Sequence, residues 1–532
     1  MASQDGAQPL ESGPALASLG LSLAEVRNVL GGGKWVDEGP IPGAPPVRKV
    51  TVDSRLAGPG AVFVALRGDR RDGHDYVAQA LGAGALAAVV RIGFAEEAKL
   101  GAERARLIEV PDTLEALGRL AAAARTRSGA KVIAVTGSVG KTTVKEALKN
   151  ILISHLGKEA VLVTEGNFNN LIGLPLTLLS LGAKTKAAVV EMGASLFGEI
   201  ETLTLIAKPD VGLVTAAGEA HLEFFGNLAG VAKAKGELYR NLPPGATAVV
   251  NAQDRAMMAE AKAYPGPNIY FGFGPKASLR KEPRVLVSLG VGGDLGGQVI
   301  RLTGLGLDGP GQEDLAHEGT GQGNPGQGDS GREGKTLEVK LRLLGAQNAL
   351  NAAGAAATAW AMGIGWEDIR AGLENTKPFP GRLEPLRATG GRWVINDSYN
   401  ANPTSMAAAL GFMAGLRGRE RIAILGDMLE LGPKSRAWHA RMGEQAAKAG
   451  IAHLALVGPE AKAMAQGALE GGLKGTGVAM FENGAEAARW ALKRAPKDSV
   501  ILVKGSRGAR LETAVRELLV ERTEGGSGPD AL

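Results

Sequence analysis

The sequence of 532 residues contains no cysteine and little histidine. Without cysteine, disulfide scaffolds, thiolate zinc sites, iron–sulfur clusters and cysteine nucleophiles are all excluded. The imidazoles available for metal binding or base catalysis are His74, His155, His221, His317, His439 and His453. Any catalytic centre must therefore be built mainly from carboxylates, lysines, hydroxyls and backbone groups.

The chain also lacks long apolar runs and a strong charge of one sign. No run approaches the ~20 apolar residues of a membrane-spanning helix, and no basic residue precedes Arg27 to begin a signal peptide. We therefore expect a cytoplasmic protein with no membrane insertion. The 60 basic and 55 acidic residues give a net charge of +5, which is too balanced for a nucleic-acid partner but suits an anionic small substrate.

Glycine, in contrast, is abundant, at 78 residues. Eleven of them lie between Gly304 and Gly334, in a stretch that has almost no apolar side chains. Such a stretch cannot bury enough surface to offset the entropy lost on ordering. We predict a mobile surface insertion, a long loop between two strands, in which His317 has no catalytic role.

The remaining pattern predicts an α/β protein of three domains. Residues 1–19 have the composition of a disordered leader, and the last nine residues that of a frayed end. A small α/β domain is expected over 20–128, where Ser22 and Glu25 form a capping-box pattern. From Lys131, continuous apolar strands alternate with helices, which favours a parallel sheet covered on both faces, and a third α/β alternation begins near Lys377. The predicted central and C-terminal domains are 129–376 and 377–532.

The segment Thr136–Thr143 lies between a predicted strand and a predicted helix and has the character of a phosphate-binding loop. Glycines allow backbone N–H groups to turn toward a polyphosphate, and the helix N-terminus adds positive potential. Two residues separate the glycines instead of the usual four, and the alternative is a chance Gly-Lys-Thr in a loop. The expected nucleotide-binding residues are Gly137, Ser138, Val139, Gly140, Lys141, Thr142 and Thr143.

Three further residues are candidates for catalysis or metal binding. Glu191 ends a strand where a carboxylate can hold a cation in the crevice, although it could instead cap the following turn. His221 follows another strand on the crevice side, but a lone histidine is more often structural. Lys235, taken alone, is typical of a solvated helix lysine. Farther along, Asp397 ends a predicted strand, as a nucleotide-binding acid would.

Taken together, these segments resemble the Mur ligases of peptidoglycan synthesis. The ordered motifs that carry the resemblance are TGSVGKTT, TEGNFNNLIGLP, EMGA, HLE, AKGE, PGRLE and NDSYNANP. Asp53-Ser-Arg55, Asp72-Gly-His-Asp75, Leu425–Gly432 and Lys504-Gly-Ser-Arg507 are similar to the branch that adds D-alanyl-D-alanine. The resemblance covers about residues 20–520, except the glycine-rich insertion.

The resemblance implies an N-terminal domain for the UDP-sugar-peptide, a central P-loop ATPase domain and a C-terminal Rossmann-like domain. It implies ATP-dependent ligation of D-Ala-D-Ala to UDP-MurNAc-tripeptide through an acyl phosphate, with two Mg²⁺ ions as cofactors. Both co-substrates are small molecules, and we expect a monomer.

The resemblance also implies a role for individual residues. Lys141, Glu191, His221 and Lys235 would be catalytic, with Lys235 as an N-carbamate, because an ammonium cannot ligate Mg²⁺. The implied metal ligands are Thr142, Asn170, Glu191, His221 and Lys235. Asn348 would face the adenine, Arg382 the phosphates and Asp397 the ribose. The family usually has histidine at the position of Gln347, whose amide can form comparable hydrogen bonds.

Substrate-binding residues follow from the same resemblance. Asp53, Ser54, Arg55 and His74 would bind uridine and diphosphate, with a structural turn at Asp72-Gly73 as the alternative. The dipeptide pocket would be shaped by Tyr399, Asn400, Asn402, Lys504 and Ser506, with helix capping as the alternative for the asparagines.

Two competing functions remain open from the sequence. One is another amide ligase of the same group, such as a folylpolyglutamate synthase or a different Mur step. The other is a nucleotide-binding assembly or switch protein that forms no bonds. Lys141, Glu191, His221 and Lys235 together disfavour the second, since a pure binder needs only the first.

Overall fold

A computed structural model describes residues 21–31, 33–36, 43–274, 284–290, 295–305 and 335–520. It has three sheet-containing domains of the α/β class, as the sequence predicts. No helix in the described part of the chain is long and apolar enough to cross a membrane. The predicted leader 1–19 and the last nine residues lie outside the described ranges.

The N-terminal domain contains a five-stranded sheet of order β1-β5-β4-β3-β2, parallel except at β1. The predicted capping box is confirmed, because the Ser22 and Glu25 side chains each accept from the other's backbone N–H. The elements are α1 (Leu23–Val29), β1 (Lys34–Trp35), β2 (Lys49–Thr51), β3 (Ala61–Val64), α2 (Val77–Gly82), β4 (Ala87–Arg91), α3 (Phe94–Glu97), β5 (Leu107–Val110) and α4 (Thr113–Arg127), with 3₁₀ turns at Ser54–Leu56, Gly73–Tyr76 and Gly101–Arg106.

The central domain is built on a nine-stranded sheet of order β14-β13-β12-β11-β10-β9-β6-β8-β7. Its strands are parallel from β12 to β7, whereas β13 and β14 are antiparallel. The elements are β6 (Lys131–Thr136), α5 (Lys141–Leu156), β7 (Val161–Val163), α6 (Gly173–Leu178), β8 (Ala187–Glu191), α7 (Glu199–Ala207), β9 (Val211–Val214), α8 (Leu222–Phe225), α9 (Leu228–Arg240), β10 (Thr247–Asn251), α10 (Arg255–Glu260), β11 (Asn268–Phe273), β12 (Arg284–Leu289), β13 (Gln298–Leu305), β14 (Lys335–Leu341), α11 (Ala346–Ala361) and α12 (Trp366–Asn375), with 3₁₀ turns at Lys158–Ala160 and Ala261–Ala263.

The C-terminal domain has a six-stranded sheet of order β15-β16-β20-β17-β18-β19, in which only the edge strand β15 is antiparallel. The elements are β15 (Glu384–Arg387), β16 (Trp393–Asp397), α13 (Pro403–Gly415), β17 (Arg421–Gly426), α14 (Ser435–Lys448), β18 (His453–Val457), α15 (Ala461–Glu470), β19 (Val478–Phe481), α16 (Gly484–Arg494), β20 (Val500–Lys504) and α17 (Glu512–Leu519), with 3₁₀ turns at Thr389–Gly391, Gly432–Lys434, Gly475–Gly477 and Arg507–Ala509.

Strand β6 shows why the central strands are apolar throughout. Val132 and Ala134 join the core on one face of the sheet, and Ile133 and Val135 join the core on the other. All four side chains are fully buried. Because helices cover both faces, an alternating polar pattern is absent, and β6 is fixed at the centre of the domain.

The glycine-rich stretch begins two residues later than the sequence suggests. Gly304 belongs to β13 and pairs with Lys335 of β14, so strand pairing extends into the predicted loop at its start. Residues 306–334 join these two antiparallel strands and lie outside the described residues, as does His317.

Candidate active site

The phosphate-binding loop lies between β6 and α5, at the carboxyl edge of the central sheet. Gly137 and Gly140 have φ angles of 137° and 95°, which side-chain-bearing residues rarely adopt. A Cβ atom on Gly140 would lie 2.4 Å from Oδ1 of Asn351, and one on Gly137 would lie 2.0 Å from Oγ1 of Thr215. Both glycines are therefore required by conformation and by space.

Neighbouring loops hold this segment in place. Ser138 N–H donates to the carbonyl of Ala216 across 2.8 Å, and the Ser138 hydroxyl donates to the carbonyl of Gly218 across 3.0 Å. The Thr215 hydroxyl donates to the carbonyl of Val139 across 2.5 Å. The loop is thus preorganised before any nucleotide contacts it.

Lys141 begins α5, and its ammonium is partly buried at the loop. Nζ donates to the carbonyl of Gly137 across 2.5 Å. Burial lowers the pKa of Lys141, the positive charge of Arg382 lowers it further, and Glu191 opposes the shift. The charges of these three side chains therefore act on the same loop, which suits a polyphosphate.

Glu191 ends β8 with its carboxylate buried and held from two sides. Thr142 Oγ1 donates to Oε2 across 3.1 Å, and Asn169 Nδ2 donates to Oε1 across 2.9 Å. The sequence-based assignment missed Asn169 and chose Asn170. The Asn170 side chain instead accepts from the N–H groups of Ile172 and Gly173 at the start of α6.

These groups fit a magnesium ion that also binds phosphate. Within the described ranges, no three His, Asp or Glu side chains form a ready-made metal cluster. Mg²⁺ in nucleotide enzymes is commonly held by one or two carboxylates together with substrate phosphates. A buried Glu191 beside the Thr142 hydroxyl at the phosphate loop provides this kind of partial ligand set.

His221 precedes the short helix α8 and adopts a left-handed φ of 54°. Its Nδ1 atom lies 2.5 Å from Oε2 of Glu430, which belongs to the C-terminal domain. Pairing with His221 lowers the pKa of the Glu430 carboxyl. The ring also makes an edge contact with Phe225, with 6.3 Å between centroids.

Lys235 lies inside the molecule instead of on a solvated helix face. The residue is 1% exposed, and Nζ is 3.4 Å from the carbonyl of Ala194 and 5.8 Å from the centroid of Phe225. Burial, aided by the charge of Lys141, lowers its pKa to about 7. An amine with so low a pKa is partly neutral near neutral pH and can act as a nucleophile.

A cavity of about 840 Å³ opens beside the loop between the central and C-terminal domains. Its lining includes Ser138, Val139, Gly140, Thr143, Gln347, Asn348, Asn351, Arg382, Asp397, Tyr399, Asn400, Asn402 and Lys504. Arg382 lies over the Tyr399 ring at 4.2 Å, and its buried Nε has no hydrogen-bond partner in the described chain. An unpaired guanidinium N–H at a cavity wall suits an anionic ligand.

The amides on α11 form a chain that ends at the phosphate loop. Asn348 Nδ2 donates to the carbonyl of Leu344, and Asn348 Oδ1 accepts from Asn351 Nδ2 across 3.0 Å. Gln347 Nε2 lies 3.5 Å from Oδ1 of Asn351. Asn351, which the sequence-based assignment missed, links this helix to Gly140.

Asp397 and Lys504 form a buried ion pair at the ends of the adjacent strands β16 and β20. Lys504 Nζ lies 2.6 Å from Oδ2 of Asp397 and also donates to the carbonyl of Asn400. The N–H of Leu383 donates to Oδ1 of Asp397. Burial raises the pKa of Asp397 despite these partners. The assigned ribose acid and the assigned dipeptide lysine therefore bind each other.

Three residues assigned to the dipeptide pocket have structural partners. Asn402 caps α13 by accepting from the N–H of Ser405. Helix capping was the alternative to a dipeptide-binding role for this residue. Asn400 Oδ1 accepts from the N–H of Ala401. Ser506 donates to the carbonyl of Ala401 and accepts from the N–H of Leu429.

The residues of the N-terminal domain that were assigned to uridine and diphosphate binding do not line this cavity. Among the described residues, none from that domain lines it. Asp53 pairs with Arg55, which lowers the pKa of Asp53, and Ser54 donates to Gln79.

His74, which the resemblance assigns to uridine and diphosphate binding, has a partner for each of its ring nitrogens. Nδ1 lies 2.6 Å from Oδ1 of Asp72, and Nε2 accepts from the N–H of Arg91 across 3.0 Å. The ring is therefore a buried structural element of the Asp72 turn.

Comparison with known proteins identifies the family. Residues 135–291 match the Mur ligase middle domain, 381–507 the Mur ligase glutamate ligase domain, and 46–125 the Mur ligase family catalytic domain. The UDP-N-acetylmuramoyl-tripeptide–D-alanyl-D-alanine ligase of Escherichia coli is 37% identical over 470 residues, which cover 88% of this chain and 93% of that protein. This chain belongs to the Mur ligase family.

Solved structures agree with this membership of the Mur ligases. MurF from Acinetobacter baumannii is 32% identical, with a TM-score of 0.76 over 93% of this chain and 98% of that chain. The MurF ligase of Thermotoga maritima in complex with ADP is 26% identical, with a TM-score of 0.71 over 89% of this chain and 97% of that one. The three-domain fold and the ligase class of this Mur ligase are thus established.

Proposed function

We propose that this Mur ligase joins D-Ala-D-Ala to UDP-MurNAc-tripeptide at the expense of ATP, giving UDP-MurNAc-pentapeptide, ADP and phosphate. The observation that carries the proposal is a preorganised phosphate loop, with Lys141 and the Glu191–Thr142 pair at it, beside an interdomain cavity that Arg382 lines. The similarity to the E. coli D-alanyl-D-alanine ligase supports the choice of substrates.

Activation of the tripeptide carboxylate is the first chemical task. A carboxylate is inert to amines, so one of its oxygens attacks the γ-phosphorus of ATP, ADP leaves, and an acyl phosphate forms. Two anions must approach each other for this step. Lys141 and Arg382 offset their repulsion and stabilise the negative charge on the transferring phosphoryl group.

Mg²⁺ would be held by Glu191, Thr142 and His221 together with ATP phosphates, and it would supply further positive charge at the transferred group. Asn169 orients the Glu191 carboxylate for this purpose. Asn170, the other assigned ligand, would contribute only if its side chain left its capping partners.

Lys235 fits the role of a carbamate carrier. Its neutral amine attacks carbon dioxide, loses a proton and becomes an anionic carbamate with two oxygens. Burial against Phe225 and the lowered pKa favour the neutral amine that this reaction needs. The carbamate would add a second anionic ligand to the Glu191 carboxylate, which among the described residues is not part of a ready-made cluster of three metal-binding side chains.

Amide formation is the second chemical task. The amine of D-Ala-D-Ala attacks the acyl carbon, and the tetrahedral intermediate expels phosphate as the amine loses its proton. Water would hydrolyse the acyl phosphate, so the interdomain cavity must close over it. Asn348 and Gln347 would lie toward the adenine, and Tyr399 and Asn400 toward the nucleotide and dipeptide.

The remaining assignments complete the proposal. The N-terminal domain would bind the UDP-sugar-peptide through Asp53, Ser54 and Arg55, and the enzyme would act as a monomer in the cytoplasm, where ATP is available. Asp397 and Lys504 would shape the cavity as a pair.

The proposed function is tested by comparing two amine substrates. Phosphate release is measured with ATP, Mg²⁺ and UDP-MurNAc-tripeptide, with either D-Ala-D-Ala or glutamate added. We expect phosphate release only with D-Ala-D-Ala. The product should be heavier than UDP-MurNAc-tripeptide by the mass of D-Ala-D-Ala less one water. Release driven by glutamate would instead indicate an amide ligase of the same group that takes a different amine substrate.

A further inference from the structure

Lys145 has its ammonium inside the central domain, one turn of α5 after Thr142. The residue is 1% exposed, and Nζ donates to the carbonyl of Thr164 across 2.8 Å and lies 3.2 Å from Oε1 of Glu146. Burying an ammonium is costly, and an apolar side chain of similar length would fill this space at a lower cost. Packing alone therefore does not account for Lys145, and its hydrogen bond to Thr164 needs another reason.

Thr164 is the residue at which the chain leaves the edge of the central sheet. It directly follows the edge strand β7, and its N–H donates to the carbonyl of Val189 across 3.0 Å. Its buried hydroxyl accepts from the N–H of Glu191 across 3.0 Å. Lys145 therefore ties the residue that holds the Glu191 backbone to α5, the helix that also carries Thr142.

The segment that starts at Thr164 holds Glu191 a second time. Asn169 Nδ2 donates to Oε1 of Glu191 across 2.9 Å, and the carbonyl of Asn169 accepts from the N–H of Gly193 across 2.7 Å. The Glu191 backbone is thus held at the start of the segment and its carboxylate at the end. Between these points residues 165–167 are exposed, so the anchors at the two ends, more than packing, set the course of the segment.

We propose that Lys145 is a positioning residue of the active site: by holding the Thr164 carbonyl, it fixes the segment 164–169 where that segment aligns Glu191 for a cation. The inference deepens the proposed function and rests on it for the role of the cation. The phosphate loop itself is held by other partners, among them the Thr215 hydroxyl and the Ala216 carbonyl. Loss of Lys145 should therefore affect the binding of the metal and spare that of the nucleotide.

Lys145→Met keeps most of the aliphatic stem and removes the donor to Thr164. Binding of Mn²⁺ with ADP present is measured on the full-length protein from the protein-dependent fall of the free-ion signal in electron paramagnetic resonance. Binding of ADP without metal is measured by calorimetry. We expect Lys145→Met to weaken Mn²⁺ binding by about tenfold, as for loss of an outer partner of a metal ligand, and to leave metal-free ADP binding unchanged.

Two results would overturn the proposal. One is equal Mn²⁺ affinity in the wild type and Lys145→Met. The other is a loss of metal-free ADP affinity as large as the loss of Mn²⁺ affinity, because a general defect of the fold would weaken both ligands alike.

Lys149→Met is the matched control. Lys149 lies one turn farther along α5, and its half-exposed side chain pairs with the same glutamate, Glu146, across 3.2 Å. Glu146→Gln removes the charge of the second partner of Lys145. We expect both variants to bind Mn²⁺ as the wild type does. A loss in either one as large as that in Lys145→Met would assign the effect to the ion pairs of Glu146, and the proposed role of Lys145 would be wrong.

Thr164→Val tests the same link from its other end and decides the matter if Lys145→Met does not fold. It removes the hydroxyl that accepts from the Glu191 N–H and keeps the shape of the side chain. We expect weaker Mn²⁺ binding with unchanged metal-free ADP binding, and wild-type Mn²⁺ affinity would overturn the proposal. Because none of these measurements requires D-Ala-D-Ala or turnover, a failure of the proposed reaction would be seen separately.

Discussion

The hydroxyl of Thr142 donates a hydrogen bond to Oε2 of Glu191 across 3.1 Å and thereby joins the first turn of α5 to the end of β8. Asn169 holds the other carboxylate oxygen, so Glu191 is fixed before a nucleotide arrives. A carboxylate fixed in this way can hold a cation beside the reacting phosphate without first reorganising.

Glu191→Gln is expected to retain the fold and lose the reaction. Glutamine can still accept from Asn169 and bond to Thr142, but it lacks the negative charge that a cation requires. Phosphate release in the complete assay should fall by roughly 10²–10³-fold, as for other lost electrostatic partners in active sites. Asn170→Ala serves as the comparison. A fall of equal size in that variant would restore Asn170 to the metal site.

Gly140→Ala should weaken nucleotide binding. The left-handed φ of 95° is strained for alanine, and its Cβ would press on Oδ1 of Asn351. We expect ADP affinity, measured by calorimetry, to fall by at least about tenfold, which corresponds to ~1.4 kcal/mol. The variant Gly140→Ala/Asn351→Ala relieves the contact but not the backbone strain, so it should recover only in part. Full recovery would show that the φ angle is not limiting.

The proposed carbamate on Lys235 predicts that activity depends on carbon dioxide and that carboxylic acids rescue a variant without this lysine. Lys235→Ala should lose most activity, and short carboxylic acids should restore part of it by supplying anionic oxygens in place of the carbamate. Wild-type activity should also fall in carbonate-free buffer. A Lys235→Ala enzyme that is fully active without supplements would contradict the carbamate.

The same residue makes stability depend on pH in a defined direction. In the unfolded chain its pKa is ~10.4, and in the fold it is about 7, so between these values the unfolded state binds more protons. Above the pKa of Lys235 in the unfolded chain, its burial therefore costs the fold no stability. As the pH falls from that value toward 7, the fold loses stability relative to the unfolded chain.

In urea titrations without carbonate or Mg²⁺, Lys235→Met should gain stability over the wild type. The gain should be on the order of a few kcal/mol at pH 7 and smaller at pH 9.5. A difference between the two proteins that does not change with pH would mean that Lys235 is not desolvated.

Because Asp397 and Lys504 are paired, removing one of the two charges should destabilise the protein more than removing both. Lys504→Met leaves a buried carboxylate without its cation and should destabilise the C-terminal domain by about 3–5 kcal/mol. The double variant Asp397→Asn/Lys504→Met removes both charges and should be closer to the wild type. Thermal unfolding compares the two, and an equal loss in both would show that charge pairing is not the cause.

Much of the fold could be predicted because local sequence and tertiary structure agree. The uninterrupted apolar run of β6 buries alternate residues on both faces of the sheet, and that run alone indicates a covered parallel strand. The sequence also indicated the phosphate loop, because Gly137 and Gly140 adopt positive φ angles that the turn itself requires.

The side-chain contacts that the sequence did not predict lie where residues distant in sequence decide the partner. Asn169 contacts Glu191, whereas its neighbour Asn170, the residue assigned from the resemblance, caps the start of α6. The N–H of Arg91, on another strand, uses the second nitrogen of His74. The pairing of His221 with Glu430 joins two domains, and no local pattern could indicate it.

The glycine-rich segment should be dispensable for catalysis. Gly304 pairs with Lys335 in adjacent antiparallel strands, so Asn-Gly can replace residues 305–334 as a two-residue turn. We expect unchanged thermal unfolding and unchanged ligation. Loss of activity in a variant that still folds would give the segment a function.

The most direct test of the account is an assay in which ATP, UDP-MurNAc-tripeptide and D-Ala-D-Ala are each omitted in turn from the purified enzyme with Mg²⁺. The account predicts phosphate release and pentapeptide formation in equal amounts when all three are present, and neither at a comparable rate when any one is absent. Phosphate release at the full rate without either co-substrate would contradict the ligase mechanism.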